Sequence, residues 1–254
     1  MNIPMRARLL AVALLCLCVP DSRAEDPPVA TPPPAAEPAP PAGAKRILVL
    51  PVEFTVYEKS VAGIEAVPDW TETAQFALGD AAMRMLQQDS RFQIVNLPQV
   101  DGEPAALLRE HVELFKIVAG TVSGVVQAGK IWEDKRTTHF DYSIGNGLTF
   151  LADAADADYA FILGGSQIKQ TGGSIFMQVL AAAGGVALPG GGTYVMAGIV
   201  DLRSGELRWF NARMGGEVFG MTGTDVRDPG TASEIIVRMF EGFPSSKYAT
   251  FRAF

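Results

Sequence analysis

A long antiparallel hairpin near the carboxyl end of the chain constrains the fold most strongly. The stretch "TYVMAGIVDLRSGELRWFNARMGG", residues 193–216, has two arms of alternating apolar residues around Arg203, Ser204 and Gly205. A period of two is typical of strands with one buried face, and glycine readily adopts the positive φ angle that a short hairpin loop needs. The fold must therefore contain a sheet with at least one antiparallel strand pair.

Apolar patterns before the hairpin predict three more strands. "RILVLPVEFTVYE", residues 46–58, begins as a continuous apolar run and ends in alternation, which is typical of a strand that is central at its start and one-faced at its end. "RFQIVN", residues 91–96, forms a short second strand. The third is the apolar core Tyr159–Leu163 of "ADYAFILGGSQIKQ".

Apolar residues three and four positions apart predict helices between these strands. One helix is expected to begin near Asp69, with Glu72 in a capping-box-like position, and others to cover 101–118 and 148–155, with a last helix starting at Asp228. Helices between successive strands imply crossover connections. We therefore predict an α/β fold in a single domain: a mixed β-sheet with a late antiparallel hairpin and helices packed on the sheet.

The order of these segments resembles that of a group of envelope proteins. "RILVLPVEF", "RFQIVN", "ADYAFILGGSQI" and "GIVDLRSGELRWF" follow one another as in proteins related to the periplasmic domain of the curli-secretion channel lipoprotein and to the N-terminal domain of the TolB type. The hairpin around "VDLRSGELRW" is similar to the aspartate-turn-tryptophan hairpin common in that group. The resemblance covers about Arg46 to Glu241 and implies a protein that assembles or docks in the cell envelope. Because this chain lacks a lipobox cysteine and obvious long amphipathic strand pairs of the membrane-spanning kind, channel formation is not expected.

The amino-terminal residues predict export. Arg6 and Arg8 precede an apolar run that ends at Val19, and Ser22-Arg23-Ala24 places small residues at the two positions that a signal peptidase reads. Residues 1–24 are therefore predicted to be a signal peptide that is cleaved on export to the periplasm. A lipid anchor is not expected, because the leucines before Cys16 and Cys18 do not fit a lipidation site.

A proline- and alanine-rich linker and an acidic domain follow the signal peptide. Residues 25–44 have the composition of an extended polyproline linker, and residues 45–254 are assigned to the mixed α/β domain. The whole chain carries a net charge of −7, and removal of the leader, which carries +2, leaves −9. An acidic mature protein argues against a nucleic-acid partner.

Searches for catalytic and metal-binding patterns yield no site. His111 and His139 lie in no metal-binding frame and are predicted to be surface histidines. Ser166 and Lys169 match a Ser-x-x-Lys motif in letters, but they fall on a predicted strand, where residues three apart point to opposite faces. The glycines at 190–192 fit no phosphate loop. An acidic cluster is expected to be solvated at a helix end rather than to bind a cation: Asp153, Asp156 and Asp158. We predict no cofactor, metal or catalytic residue.

An uncharged run of 31 residues, Gln170–Val200, leaves two interpretations open. Pro189 and several glycines interrupt any window long enough to span a membrane as a helix. In one interpretation, residues 174–188 form a buried helix over the sheet. In the other, they form an exposed apolar patch that meets a bilayer surface or another envelope protein. The residues predicted to make that contact are Phe176, Met177, Leu180 and Leu188.

These observations predict a non-enzymatic docking or assembly protein of the bacterial envelope. Its expected partner is another envelope protein or the membrane surface, with a homo-oligomer as a further alternative. The competing hypothesis is a periplasmic small-molecule-binding protein or hydrolase with a pocket near residues 130–150. The aromatic and polar side chains that would line that pocket are Trp132, His139, Phe140 and Tyr142.

Overall fold

The first apolar run forms two strands rather than one. In the computed structural model, which describes residues 43–128, 142–173, 175–176, 191–214, 225–241, 243 and 250–251, β1 is Lys45–Val49 and β2 is Glu53–Lys59. Pro51 lies between them, and proline has no N–H to continue a strand ladder. Both strands pair in parallel with the same side of β5, Tyr159–Gln170.

The remaining described strands complete one mixed sheet of eight strands. β3 is Ile64–Ala66, β4 is Phe92–Val95, β6 is Gly192–Asp201, β7 is Leu207–Met214 and β8 is Thr250–Phe251. Along the sheet the order is β3-β2-β5-β6-β7-β8, and β1 lies between β4 and β5, parallel to both. β6 pairs with β5 and β7 in antiparallel fashion, which confirms the predicted late hairpin.

Helices cover both faces of this sheet. α1 is Pro68–Gln87, α2 is Gly102–Ala128, α3 is Thr149–Ala155 and α4 is Pro229–Met239. α1 and α4 bury their apolar sides with the fully buried Trp209 on one face, whereas α3 and α2, which carries the buried Phe115, pack on the other. The predicted α/β class, with helices packed on a mixed sheet, is confirmed, and every described residue belongs to the unit Pro40–Phe254.

Two helix boundaries differ from the sequence prediction. α1 begins at Pro68 after Val67, without a side-chain cap, so the capping-box assignment of Asp69 and Glu72 is wrong. α2 continues to Ala128, whereas the sequence predicts a helix to about Val118 and leaves its end open. Its last part consists largely of β-branched and small residues with weak helical preference, but Ala119 and Val122 are buried in the core, and packing overrides propensity there.

The turn of the β6–β7 hairpin is confirmed at Gly205, whose φ angle is +71°. The Asp201 carboxylate accepts hydrogen bonds from the backbone N–H groups of Arg203 and Ser204, both at 3.0 Å. The Gly205 carbonyl accepts a bond of 2.9 Å from the Ile144 N–H, and the Tyr142 carbonyl accepts one of 2.9 Å from the Leu207 N–H. The hairpin turn is therefore joined to the segment before α3.

Candidate docking surface

The turn between β2 and β3 places apolar side chains in solvent. The Ser60 N–H donates to the Gly63 carbonyl at 2.9 Å, and the Ala62 N–H donates to the Ser60 hydroxyl at 3.1 Å. These bonds close a tight turn with Val61 at its apex, 68% exposed, and Ile64 just after it, 53% exposed. Turns are usually polar, so an ordered turn that presents branched aliphatic side chains to water is unusual.

The end of β5 brings two more apolar side chains to the same corner. The Thr171 N–H donates to the Lys59 carbonyl at 3.0 Å, and a β-carbon at Gly173 would lie 3.6 Å from Val61 Cγ2. The chain then begins a helical turn, because the Ile175 N–H donates to the Thr171 carbonyl at 3.0 Å. Ile175 is 46% exposed and Phe176 is 62% exposed. We call this surface the apolar tip; its four residues are Val61, Ile64, Ile175 and Phe176.

An ionic cluster beside the tip fixes β5 to its neighbours. The Asp225 carboxylate accepts hydrogen bonds from Arg227 Nε at 2.8 Å and from Lys169 Nζ at 3.1 Å. The hydrogen bonds from Arg227 hold the pKa of Asp225 well below its usual range. Burial acts in the opposite direction but is outweighed, and the bond from Lys169 lowers the pKa further. The Arg227 guanidinium also lies 4.2 Å from the centre of the Trp70 ring. These contacts therefore link the end of β5, from which the tip continues, to the amino-terminal part of α1.

Buried hydrogen bonds also join β5 to β6 and to the segment before α4. Gln167 and Thr193 are both nearly inaccessible, and Gln167 Nε2 donates to Thr193 Oγ1 at 2.8 Å. The Gln167 side-chain oxygen accepts a bond of 3.3 Å from the Val226 N–H. Because both ends of the amide are satisfied, β5, β6 and the segment before α4 are held together without an unpaired polar group at Gln167.

The described residues include only some of the side chains that the sequence assigns to a contact or a pocket. Phe176 is exposed at the apolar tip, whereas Met177, Leu180 and Leu188 lie outside the described residues. Of the pocket candidates, Tyr142 packs half-buried against the α2–α3 face of the sheet. Trp132, His139 and Phe140 lie outside the described residues. Sequence reasoning missed Val61, Ile64 and Ile175; the signal that points to the first two is the pair of apolar residues in the turn "SVAGIEA".

The remaining polar candidates have structural partners. His111 is buried rather than on the surface as predicted: its Nδ1 lies 2.9 Å from the Leu107 carbonyl oxygen, and its ring packs against Gly147. Of the acidic cluster, Asp156 pairs with Arg46, Asp158 accepts a bond of 2.9 Å from the Arg46 N–H, and Asp153 pairs with Arg203. Ser166 and Lys169 lie on β5, a strand as predicted.

The described residues contain neither a metal-binding cluster nor a membrane-spanning helix. No group of three or more histidine, cysteine or acidic side chains is arranged there to hold a metal ion. No helix in that part of the chain combines the length and the apolar character needed to cross a membrane.

Comparison with known proteins finds only distant similarity. No family model matches the sequence, and no curated protein matches it. A hypothetical protein of Chlamydia trachomatis, CT253, is 12% identical over 79% of this chain and 97% of its own, with a TM-score of 0.37. Protein XCC0632 of Xanthomonas campestris is 8% identical over 80% and 85%, with a TM-score of 0.34. Lipoprotein GNA1162 of Neisseria meningitidis is 12% identical over 79% and 99%, with a TM-score of 0.30. At these scores the similarity assigns neither a family nor a function.

Proposed function

We propose that this protein is a non-enzymatic docking or assembly component of the bacterial envelope, and that it binds its partner through the apolar tip. The observation that carries the proposal is the convergence of Val61, Ile64, Ile175 and Phe176 at one corner of the sheet, each about half exposed or more. Single exposed apolar side chains are common on protein surfaces, but several of them at one corner of a sheet are typical of an interaction site.

The tip is large enough to form the centre of an interface. A phenylalanine buries about 200 Å² when it is fully covered. Phe176 is 62% exposed, so a partner can cover about 120 Å² of it. At about 25 cal/mol per Å², that area contributes about 3 kcal/mol, or a factor of about 100 in affinity. A stable interface covers about 800 Å² on each side, so the tip acts as its anchor and not as the whole contact.

The charges around the tip favour a protein partner over a lipid surface. Glu58, Lys59 and Glu65 lie on the two strands that lead into and out of the turn, and together they carry a net negative charge. Proteins that bind anionic membranes surround their apolar residues with lysine and arginine. A mixed, slightly acidic rim is instead typical of the polar edge of a protein–protein interface. Because the predicted signal peptide would direct the protein to the periplasm, we expect its partner to lie in the envelope.

The proposal is tested by comparing two double variants of the mature protein. Ile175→Ser with Phe176→Ser alters the tip, whereas Ile117→Ser with Val237→Ser removes two similarly exposed side chains from the outer faces of α2 and α4. Surface changes of this kind shift the unfolding free energy by less than about 0.5 kcal/mol, so both variants should melt within about 2 °C of the wild type. Association with detergent-solubilised envelope proteins is then measured by surface plasmon resonance.

We expect the tip variant to lose at least tenfold in association and the control variant to keep it. Equal binding of both variants would refute docking through the tip. Vesicles of neutral and of anionic lipid, free of protein, form the second arm. If tip-dependent binding appears on these vesicles, the partner is the membrane surface and the assignment to a protein is wrong. A large fall in the melting temperature of the tip variant alone would show that these side chains belong to the core.

A further inference from the structure

The bend between β1 and β2 lies where two parallel strands of the sheet end. β1 and β4 are parallel neighbours, so their carboxyl ends lie on the same side. α1 and α2 pack on opposite faces of the sheet. In open α/β sheets, ligands bind in crevices outside the carboxyl ends of the parallel strands. The segment that follows Val49 is therefore a candidate for a second binding site.

An apolar groove of about 470 Å³ lies at this position. Its floor is the bend between β1 and β2, its wall on one side is α1, and Leu97, just after β4, lies on the other. α1 approaches the bend closely at Gly79, where a β-carbon would lie 3.3 Å from Val52 Cγ2. Phe76 and Met83 stand on either side of this glycine, and Phe76 is 76% exposed. The groove therefore combines a concave apolar floor with an aromatic side chain that is largely in water.

The polar side chains that line the groove already have partners. Gln75 Nε2 donates to the Phe54 carbonyl at 2.9 Å, and the Asp80 carboxylate pairs with Arg84 one turn later in α1. The groove thus offers an occupant mainly contact with apolar surface. The part of the occupant that enters the groove should therefore be an apolar side chain, and the backbone that carries it should form its hydrogen bonds outside the groove, for example with water.

The charge on α1 indicates what flanks that apolar side chain. α1 carries three carboxylates and one guanidinium, a net of −2. Asp80 is paired with Arg84, whereas Glu72, four residues before Phe76 on the same side of the helix, adds a negative charge beside the groove. A negative charge beside an apolar groove attracts a positive partner and disfavours a negative one.

We propose that this groove binds a segment of a partner protein in which an apolar side chain stands next to a lysine or arginine. The apolar side chain enters between Phe76, Met83 and Leu97, and the cation lies beside Glu72. The site is distinct from the apolar tip, because β2 places about seven residues, or about 23 Å, between Val52 and Lys59. The groove therefore adds a second, charge-selective contact to the proposed function. This proposal does not depend on docking at the tip, so it stands if docking at the tip is disproved.

The proposal can be tested on the whole mature protein with two synthetic peptides, one of alternating leucine and lysine and one of alternating leucine and glutamate. Methionine methyl groups labelled with carbon-13 provide the NMR signal, and the Met83 methyl reports on the groove. We expect the lysine peptide to shift the Met83 signal and to bind at least tenfold more tightly than the glutamate peptide.

Three variants separate the groove from nonspecific binding to an acidic protein. Phe76→Ser should weaken binding of the lysine peptide at least tenfold, and Glu72→Gln should reduce the preference between the two peptides. Ile117→Ser, an exposed apolar residue on α2, should change neither. The proposal is overturned if Met83 does not respond, if both peptides bind equally, or if Phe76→Ser and Ile117→Ser have the same effect.

Discussion

Replacing Gly205 with alanine should destabilise the domain by about 2–5 kcal/mol. The residue has a φ angle of +71°, which costs an alanine about 1–2 kcal/mol. The new β-carbon would also lie 1.9 Å from the Gly145 carbonyl oxygen, so the two backbones must separate. Separation breaks the bond from the Ile144 N–H to the Gly205 carbonyl, and a buried donor without a partner costs about 1–3 kcal/mol.

Urea unfolding followed by circular dichroism measures this loss, against a total stability of about 5–15 kcal/mol for a domain. Gly102→Ala is the matched control, because Gly102 has a φ angle of +62° and no atom within 4 Å of its missing β-carbon. It should therefore lose only the conformational part, about 1–2 kcal/mol. Equal losses in the two variants would refute the claim that the contact between the hairpin turn and Gly145 stabilises the fold.

Three further predictions concern the last helix, the ionic cluster and export. Asp228→Ala should cost about 1 kcal/mol in the same unfolding assay, because the Asp228 carboxylate accepts the Thr231 N–H at 2.8 Å and caps α4; no loss would show that the cap is unimportant. Asp225 has a lowered pKa in the fold, so its contribution is present above its ordinary pKa of 3.8 and is lost as the pH falls through the folded value. The stability difference between the wild type and Asp225→Asn should therefore shrink below about pH 4, and a constant difference would contradict this. The exported protein should begin at Glu25 by intact mass, and a mass that retains acylated Cys16 or Cys18 would exclude the predicted cleavage.

Much of the fold could be predicted because its signals are local. The buried positions of α1 include Ala74, Leu78 and Ala81, which follow the helical spacing visible in the sequence. Gly205 could be assigned to a turn because few other residues tolerate its conformation. Where local preference and packing disagree, the sequence left the boundary open: α2 extends to Ala128 although its last residues favour a helix only weakly.

The candidate sites could be predicted only in part. Phe176 was singled out because it lies in the uncharged run, but Val61 and Ile64 belong to a short segment that has no periodicity. Their significance depends on Gly173, which is distant in the sequence and adjacent in the fold. His111 illustrates the reverse case: it was expected on the surface, but the contact with Gly147 makes it part of the core.

The sequence by itself determined the main helices, the strands that alternate with them and the late hairpin, because hydrophobic periodicity and turn residues act over a few positions. Only the tertiary structure decided where the exposed apolar surface lies. The apolar tip exists because β2 and β5 pair in parallel and end at the same corner. The groove beside Phe76 exists because α1 packs next to the bend after β1 and to Leu97, which follows β4. Both depend on contacts between segments far apart along the chain, and no local pattern encodes strand order or register.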